Sequence, residues 1–113
     1  MSPAVLRHPL AMLRAFVLLV PALGAAAAEP PAQRRAELVS LVRQDCGACH
    51  GITLKGGLGP SLLPQALAGK DAGQLGFVIL HGRRGTAMPP WDRFLSEPEA
   101  LWIAEQLKQG FPK

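Results

Sequence analysis

An all-α fold is predicted for this chain, with three main helices joined by loops. Three observations predict it. Apolar residues recur three and four apart in three separate stretches, and no stretch alternates apolar with polar residues as a half-buried strand does. Glycines and prolines cluster between the helical stretches, where they punctuate the chain. The 113 residues are enough for one small domain.

The first 28 residues read as a cleaved secretory signal peptide. Arg7 and Arg14 precede the apolar run from Ala15 to Leu23; Gly24 and the alanines Ala25 to Ala28 follow, and then Glu29. This is a charged n-region, an apolar h-region and an A-x-A site, Ala26-x-Ala28, with the cut before Glu29. No Arg-Arg pair precedes the h-region, which favours general secretion over twin-arginine export. The alternative is a retained membrane anchor. The apolar part is short of the roughly 20 residues a spanning helix needs, and Pro21 and the alanine run favour cleavage. Cleavage implies no stable membrane insertion and places the domain, residues 29–113, outside the cytoplasm. Removing Arg7 and Arg14 leaves 10 basic against 8 acidic residues, so the formal charge falls from +4 to +2. Nothing in this balance argues for a nucleic-acid partner.

After the tail Glu29-Pro30-Pro31, a helix is predicted from Ala32 to about Asp45. Leu38, Val39, Leu41 and Val42 supply its apolar face, and Arg34, Arg35, Glu37 and Arg43 cover the others. It delivers the chain into Cys46-Gly47-Ala48-Cys49-His50. This is C-x-x-C-H, the attachment signature of a c-type haem. Two thiols one helical turn apart can add to the two vinyl groups on one porphyrin edge, and the next residue, His50, can then bind the iron. The alternatives are a redox pair, a zinc half-site or a plain disulfide. A redox pair would sit in a βαβ context, which is absent. Zinc would need further clustered ligands, but there are no other cysteines, and His81 is the only other histidine beyond the leader. A small domain of 85 residues also gains from a staple, and a haem held by two thioether bonds is an apolar plate to pack around.

Gly51 to Pro64 carries four glycines and two prolines and breaks any long helix. A metal-binding histidine usually donates its free ring N–H to a carbonyl. The Gly59-Pro60-Ser61-Leu62 loop could fold back and offer that of Pro60; the alternative is an ordinary turn. Pro64 to Ala68 forms a short helix closed by Gly69. Asp71 caps the next, from Ala72 to His81, with Leu75, Phe77, Val78, Ile79 and Leu80 apolar and Gly82 as its stop. Gly73 and Gly76 either weaken it or admit a close neighbour. His81 at its end is expected to face solvent or a haem propionate rather than to bind iron.

Met88 lies in the stretch Gly85-Thr86-Ala87-Met88-Pro89-Pro90-Trp91, 38 residues after His50, and is the only methionine after the leader. A thioether opposite histidine raises a haem potential and closes the iron to other ligands. The alternative is Met88 as a core filler. Trp91 is expected to pack on the haem edge or to donate its indole N–H to a propionate. Ser96 and Glu99 form a capping box for the last helix, which runs to about Gln109 with Leu101, Trp102, Ile103, Ala104 and Leu107 apolar.

With Cys46-x-x-Cys49-His50, Gly59-Pro60-x-Leu62, Met88-Pro89 and the first and last helices in place, the whole mature piece resembles a class I cytochrome c. The resemblance implies three main helices and loops around one covalently bound haem c, crossing N- and C-terminal helices, His50 and Met88 as iron ligands, and the Pro60 carbonyl holding His50. One departure is Gln106 before Leu107, where many members carry an aromatic; Trp102 is the expected substitute. Asp45 to Gly51, Thr53 to Pro60, Leu67 to Lys70 and Gly85 to Trp91 resemble, more narrowly, the small cytochromes c-55X associated with cytochrome cd1 nitrite reductase. That implies the periplasm of a denitrifying bacterium, and electron donation to nitrite reductase or help in maturing the enzyme and its haem d1. A monomeric one-electron carrier, not an enzyme, is therefore expected, with a redox protein as partner. Lys55, Arg83, Arg84 and Arg93 either steer an acidic partner or form a solvated face.

Overall fold

The computed structural model describes residues 4, 19–21 and 28–113. Most of the predicted leader, with Arg7, Arg14 and Ala26, lies outside the described residues. Helix α1 is Ala32–Leu41, α2 Gly47–His50, α3 Pro64–Leu67, α4 Ala72–His81 and α5 Glu97–Gln109. No strand occurs among the described residues. None of the helices among them is long and apolar enough to cross a membrane.

The first helix differs from the expectation of a single run to Asp45. A π-helical turn, Val42–Cys46, links α1 to α2, so the helical path continues as far as His50. Each π turn holds an extra residue compared with an α turn, a change that apolar spacing does not reveal. Leu38 and Val42 stay fully buried in the core, and Cys46, four residues on, packs at its edge.

The core gathers Leu38 and Val42 with Leu54, Leu67, Leu80, Leu95 and the buried face of α5: Ala100, Trp102, Ile103 and Leu107. The most extensive helix packing is α4 on α5. It centres on Gly76, where a Cβ would lie 3.3 Å from the backbone nitrogen of Leu101. Of the two roles predicted for this glycine, close approach is the one observed. Trp102 is buried and donates its indole N–H to Glu29 at 3.1 Å, with the Phe111 ring edge-on at 6.4 Å. Both predicted caps form. Asp71 accepts from the Gln74 N–H at 2.9 Å, and Ser96 and Glu99 exchange hydrogen bonds at 3.3 and 2.9 Å.

The first and last helices share this core and are tied at their surface. Arg34 donates to both carboxylate oxygens of Glu99, at 2.7 and 3.1 Å, and to the Phe94 carbonyl. Arg43 donates to the carbonyls of Phe111 and Pro112 and lies over the Phe111 ring. Hydrogen bonding from Arg34 holds the Glu99 carboxyl below its ordinary 4.5. A lowered carboxyl stabilises the fold fully above that ordinary value, and the contribution is lost as the pH falls through the folded-state value. Glu99→Gln can keep the cap but loses the charge pair. It should cost about 1 kcal/mol at neutral pH, allowing for water screening, and the gap to wild type should close well below pH 4.5. Thermal melts across the acid range check this; a gap independent of pH would refute it.

Candidate haem site

Cys46 and Cys49 are brought to the wall of a cleft by the π turn and α2. The chain then reverses at Gly51, and the following loop lies back over the end of α2. A helix end leaves carbonyls without partners. Here the Gly59 N–H donates to the Cys49 carbonyl at 2.8 Å, and the Gly56 N–H to that of His50 at 2.7 Å. These bonds bring Pro60 beside His50, and His50 Nδ1 lies 2.7 Å from the Pro60 carbonyl oxygen. A carbonyl only accepts, so Nδ1 carries the proton and Nε2 keeps its lone pair, available to a metal. Gly59 closes against the imidazole: a Cβ there would lie 2.8 Å from both Cε1 and Nδ1. Gly59→Ala should therefore displace the ring or the Pro60 carbonyl, lowering the yield of haem-loaded protein severalfold or shifting its potential. Potentiometry and haem quantitation check this, and wild-type values in both would refute it.

Leu54 is a residue that sequence reasoning missed. It has φ of 60° yet is buried. That left-handed conformation costs about 1–2 kcal/mol for a residue with a side chain, and burial of the leucine can offset it. Its carbonyl accepts from the Leu62 N–H at 2.9 Å and from Ser61 Oγ, which fastens the loop immediately after Pro60. No sequence signal marks a leucine for this backbone region.

Met88 is fastened to the end of α4. The Arg83 N–H donates to the Met88 carbonyl at 3.3 Å, and a Cβ on Gly82 would lie 2.7 Å from that oxygen. Gly82 has φ of 70°, so glycine is favoured both by the turn and by the close approach. Beyond the two prolines, the Trp91 N–H donates to the carbonyls of Ile79 and Leu80. The predicted stop of α4 and the methionine loop thus form one unit.

Two cavities of about 520 and 310 Å³ open between these walls. Cys46, His50, Pro60, Arg83 and Met88 line both of them. The larger is completed by apolar residues of α3, α4 and α5, including Leu67, Leu75, Val78, Ile79 and Ile103. The smaller is completed by Cys49, Leu58, Gly59, Pro89 and Trp91 among others. His81 lines neither; it is exposed, with its ring centroid 4.4 Å from that of Phe77. All six predicted cofactor-binding residues, Cys46, Cys49, His50, Pro60, Met88 and Trp91, line one cavity or both.

The lining fits a haem: apolar walls of the right scale for a sizeable ligand, two thiols, an imidazole with a free lone pair, and a thioether sulfur. Burial, with the nearby Asp45 charge, pushes the Cys46 thiol up to about 11. At neutral pH it is a protonated apolar group, unlike the low-pKa thiolate of a redox pair. No group of three or more His, Cys, Asp or Glu side chains able to hold a metal ion occurs among the described residues, so the zinc alternative lacks ligands there.

Comparison with known proteins agrees. Residues 33–106 match the family model described as cytochrome C oxidase, cbb3-type, subunit III. Cytochrome c55X of Paracoccus denitrificans (strain Pd 1222) is 53% identical over 97 residues, covering 85% of this chain and 94% of that protein. The solved structure of the c-type cytochrome NirC superposes with a TM-score of 0.70 at 49% identity, covering 72% of this chain and 95% of that one. Dihydro-heme d1 dehydrogenase of Pseudomonas aeruginosa (strain ATCC 15692 / DSM 22644 / CIP 104116 / JCM 14847 / LMG 12228 / 1C / PRS 101 / PAO1) is 40% identical over 74 residues. That match spans 66% of this chain but only 15% of the dehydrogenase.

Proposed function

Because this chain belongs to the cytochrome c55X family of c-type cytochromes, we propose that it is a monomeric periplasmic electron carrier whose acceptor is cytochrome cd1 nitrite reductase. Haem c, bound covalently through Cys46 and Cys49, supplies a one-electron iron couple. His50 Nε2 and Met88 Sδ would hold the iron, and the Pro60 carbonyl fixes the His50 tautomer. Residues 1–28 direct export and are removed.

The observation that carries this reading is the placement of His50 and Met88 on the walls common to both cavities. An imidazole braced by Pro60 and a thioether on a loop whose backbone is fastened to α4 would hold the iron, exclude other ligands and change little between oxidation states. Those are the needs of a carrier rather than of a haem that binds and turns over a substrate. The cationic side chains of Lys55, Arg84 and Arg93 are exposed. They favour an acidic docking face, with a salt-sensitive association rate.

Mixing the reduced protein with oxidised nitrite reductase tests the proposal. Electron transfer that is fast at low salt and slows as salt rises supports it; no transfer on the timescale of turnover would refute it.

A second reading is favoured by the match to part of dihydro-heme d1 dehydrogenase. In it, the chain handles electrons during maturation of the haem d1 of nitrite reductase. Deleting the protein separates the two: fully loaded but slowly reduced enzyme supports the donor role, and enzyme lacking haem d1 supports maturation.

A further inference from the structure

Haem c brings two carboxylates to any site that holds it, on the porphyrin edge opposite the thioether bonds. A carboxylate brought out of water costs several kcal/mol unless it is paired. The cleft must therefore offer partners for two negative charges, away from the cysteines.

The polar lining narrows the choice. Beyond His50, the larger cavity presents Ser61, Lys70, Gln74 and Arg83; the smaller presents Asp45, Thr86 and Arg83. Ser61 Oγ is already engaged by the Leu54 carbonyl and the Leu63 N–H, and Thr86 Oγ1 by the Arg83 carbonyl. The side chains of Lys70, Gln74 and Arg83 make no hydrogen bond or ion pair to a described residue. Exposed Lys55, Arg84 and Arg93 likewise have no such partner among the described residues, but they line neither cavity; Lys70, Gln74 and Arg83 do. Location separates the groups as well. Asp45 and Cys49 line the smaller cavity alone, and Lys70 and Gln74 the larger alone. Arg83 and Cys46 line both; on the Cys49 side a carboxylate would meet the Asp45 charge as well as Arg83, whereas on the other side Lys70 and Gln74 join Arg83 with no acidic group in the lining.

We propose that Arg83, with Lys70 and Gln74, forms the site that receives the two haem carboxylates, and that this pairing raises the haem potential. The proposal rests on the haem-carrier reading and adds to it the residues that tune it. Arg83 has two separable parts. Its guanidinium serves the carboxylates, while its backbone clamps the Met88 loop through the Met88 carbonyl and the Thr86 hydroxyl. Neutralising the guanidinium leaves the carboxylate charge uncompensated, which favours ferric over ferrous iron. The backbone clamp needs no particular side chain and survives. Trp91, which lines only the smaller cavity, then packs on the thioether side instead of meeting a carboxylate.

Spectroelectrochemistry on the haem-loaded protein and on Arg83→Gln, Arg83→Lys, Lys70→Gln and the Arg83→Gln/Lys70→Gln double variant tests this. At fixed applied potential, Arg83→Gln should raise the ferric-to-ferrous ratio several-fold. Lys70→Gln should act in the same direction, the double variant should exceed either, and Arg83→Lys should recover most of the loss. All variants should still exclude carbon monoxide, and the shifts should persist at high salt. An unchanged midpoint in the double variant overturns the proposal. So does a shift that high salt abolishes, because exposed surface charge alone explains it. So does a shift accompanied by carbon monoxide binding, because the effect then runs through Met88. A wild-type protein with no reversible one-electron couple would instead overturn the carrier reading, which keeps the two failures distinct.

Discussion

Met88→Ala should keep the haem covalently attached, lower its potential and admit carbon monoxide to the iron. The attachment survives because Cys46 and Cys49 lie on a different wall, carried by the π turn and α2. The potential falls because a thioether favours ferrous iron and alanine leaves the position to water. Axial ligation spans about 0.8 V among haem proteins, and losing the sulfur should move the midpoint down by a sizeable part of that range. Carbon monoxide should enter because the proposed ligand is gone, while the Gly82–Arg83 clamp on the loop backbone remains. The absorption spectrum of the reduced variant under carbon monoxide is the measurement. Unchanged exclusion would overturn the role of Met88, and His81 offers no ready replacement, since it lines neither cavity.

Cys46→Ala combined with Cys49→Ala should abolish covalent haem and leave the chain without a stable fold. Cavities of about 520 and 310 Å³ flank the core helices. The cavities open to the surface, so without the cofactor their apolar lining meets water, at about 25 cal/mol per Å² of apolar surface left uncovered. A small domain has only about 5–15 kcal/mol of stability to lose. Each single variant should retain one thioether bond and an intermediate melting temperature. Haem staining after denaturing electrophoresis reads the bond, and circular dichroism reads the fold. Wild-type staining in the double variant would refute the attachment, and an unchanged melt would refute the structural role of the haem.

Much of this site was legible before any coordinates. The Cys46-to-His50 spacing announces thioether attachment because the two thiols and the imidazole must be presented within five consecutive residues. Caps are equally local. Asp71 reaches the Gln74 N–H and Ser96 that of Glu99, each across three residues, so short-range pattern suffices. The π turn at Val42–Cys46 was not legible. It keeps the helical composition of its surroundings and changes only which carbonyl each N–H finds. Leu54 escaped for a related reason: tertiary burial holds a residue where its own preference would not.

By itself the sequence determined the chemical inventory: two thiols, one histidine joined to them, a single methionine after residue 28, and helices that pack by the spacing of their apolar residues. Those properties follow from residue type and from distances along the chain. Only the tertiary structure decided between an ordinary turn and a brace at Pro60, and it alone brought out the Met88 carbonyl. The Pro60 carbonyl is set on His50 by hydrogen bonds from Gly56 and Gly59 to the end of α2, and the Met88 carbonyl is held at the end of α4 by Gly82 and Arg83. The proline-bearing loop after the haem motif pointed to the Pro60 carbonyl, but every residue carries the same group, and nothing in the one-dimensional pattern singles out that of Met88. Their roles arise from the folded path, which brings an unpaired donor and a missing Cβ to the same few ångströms.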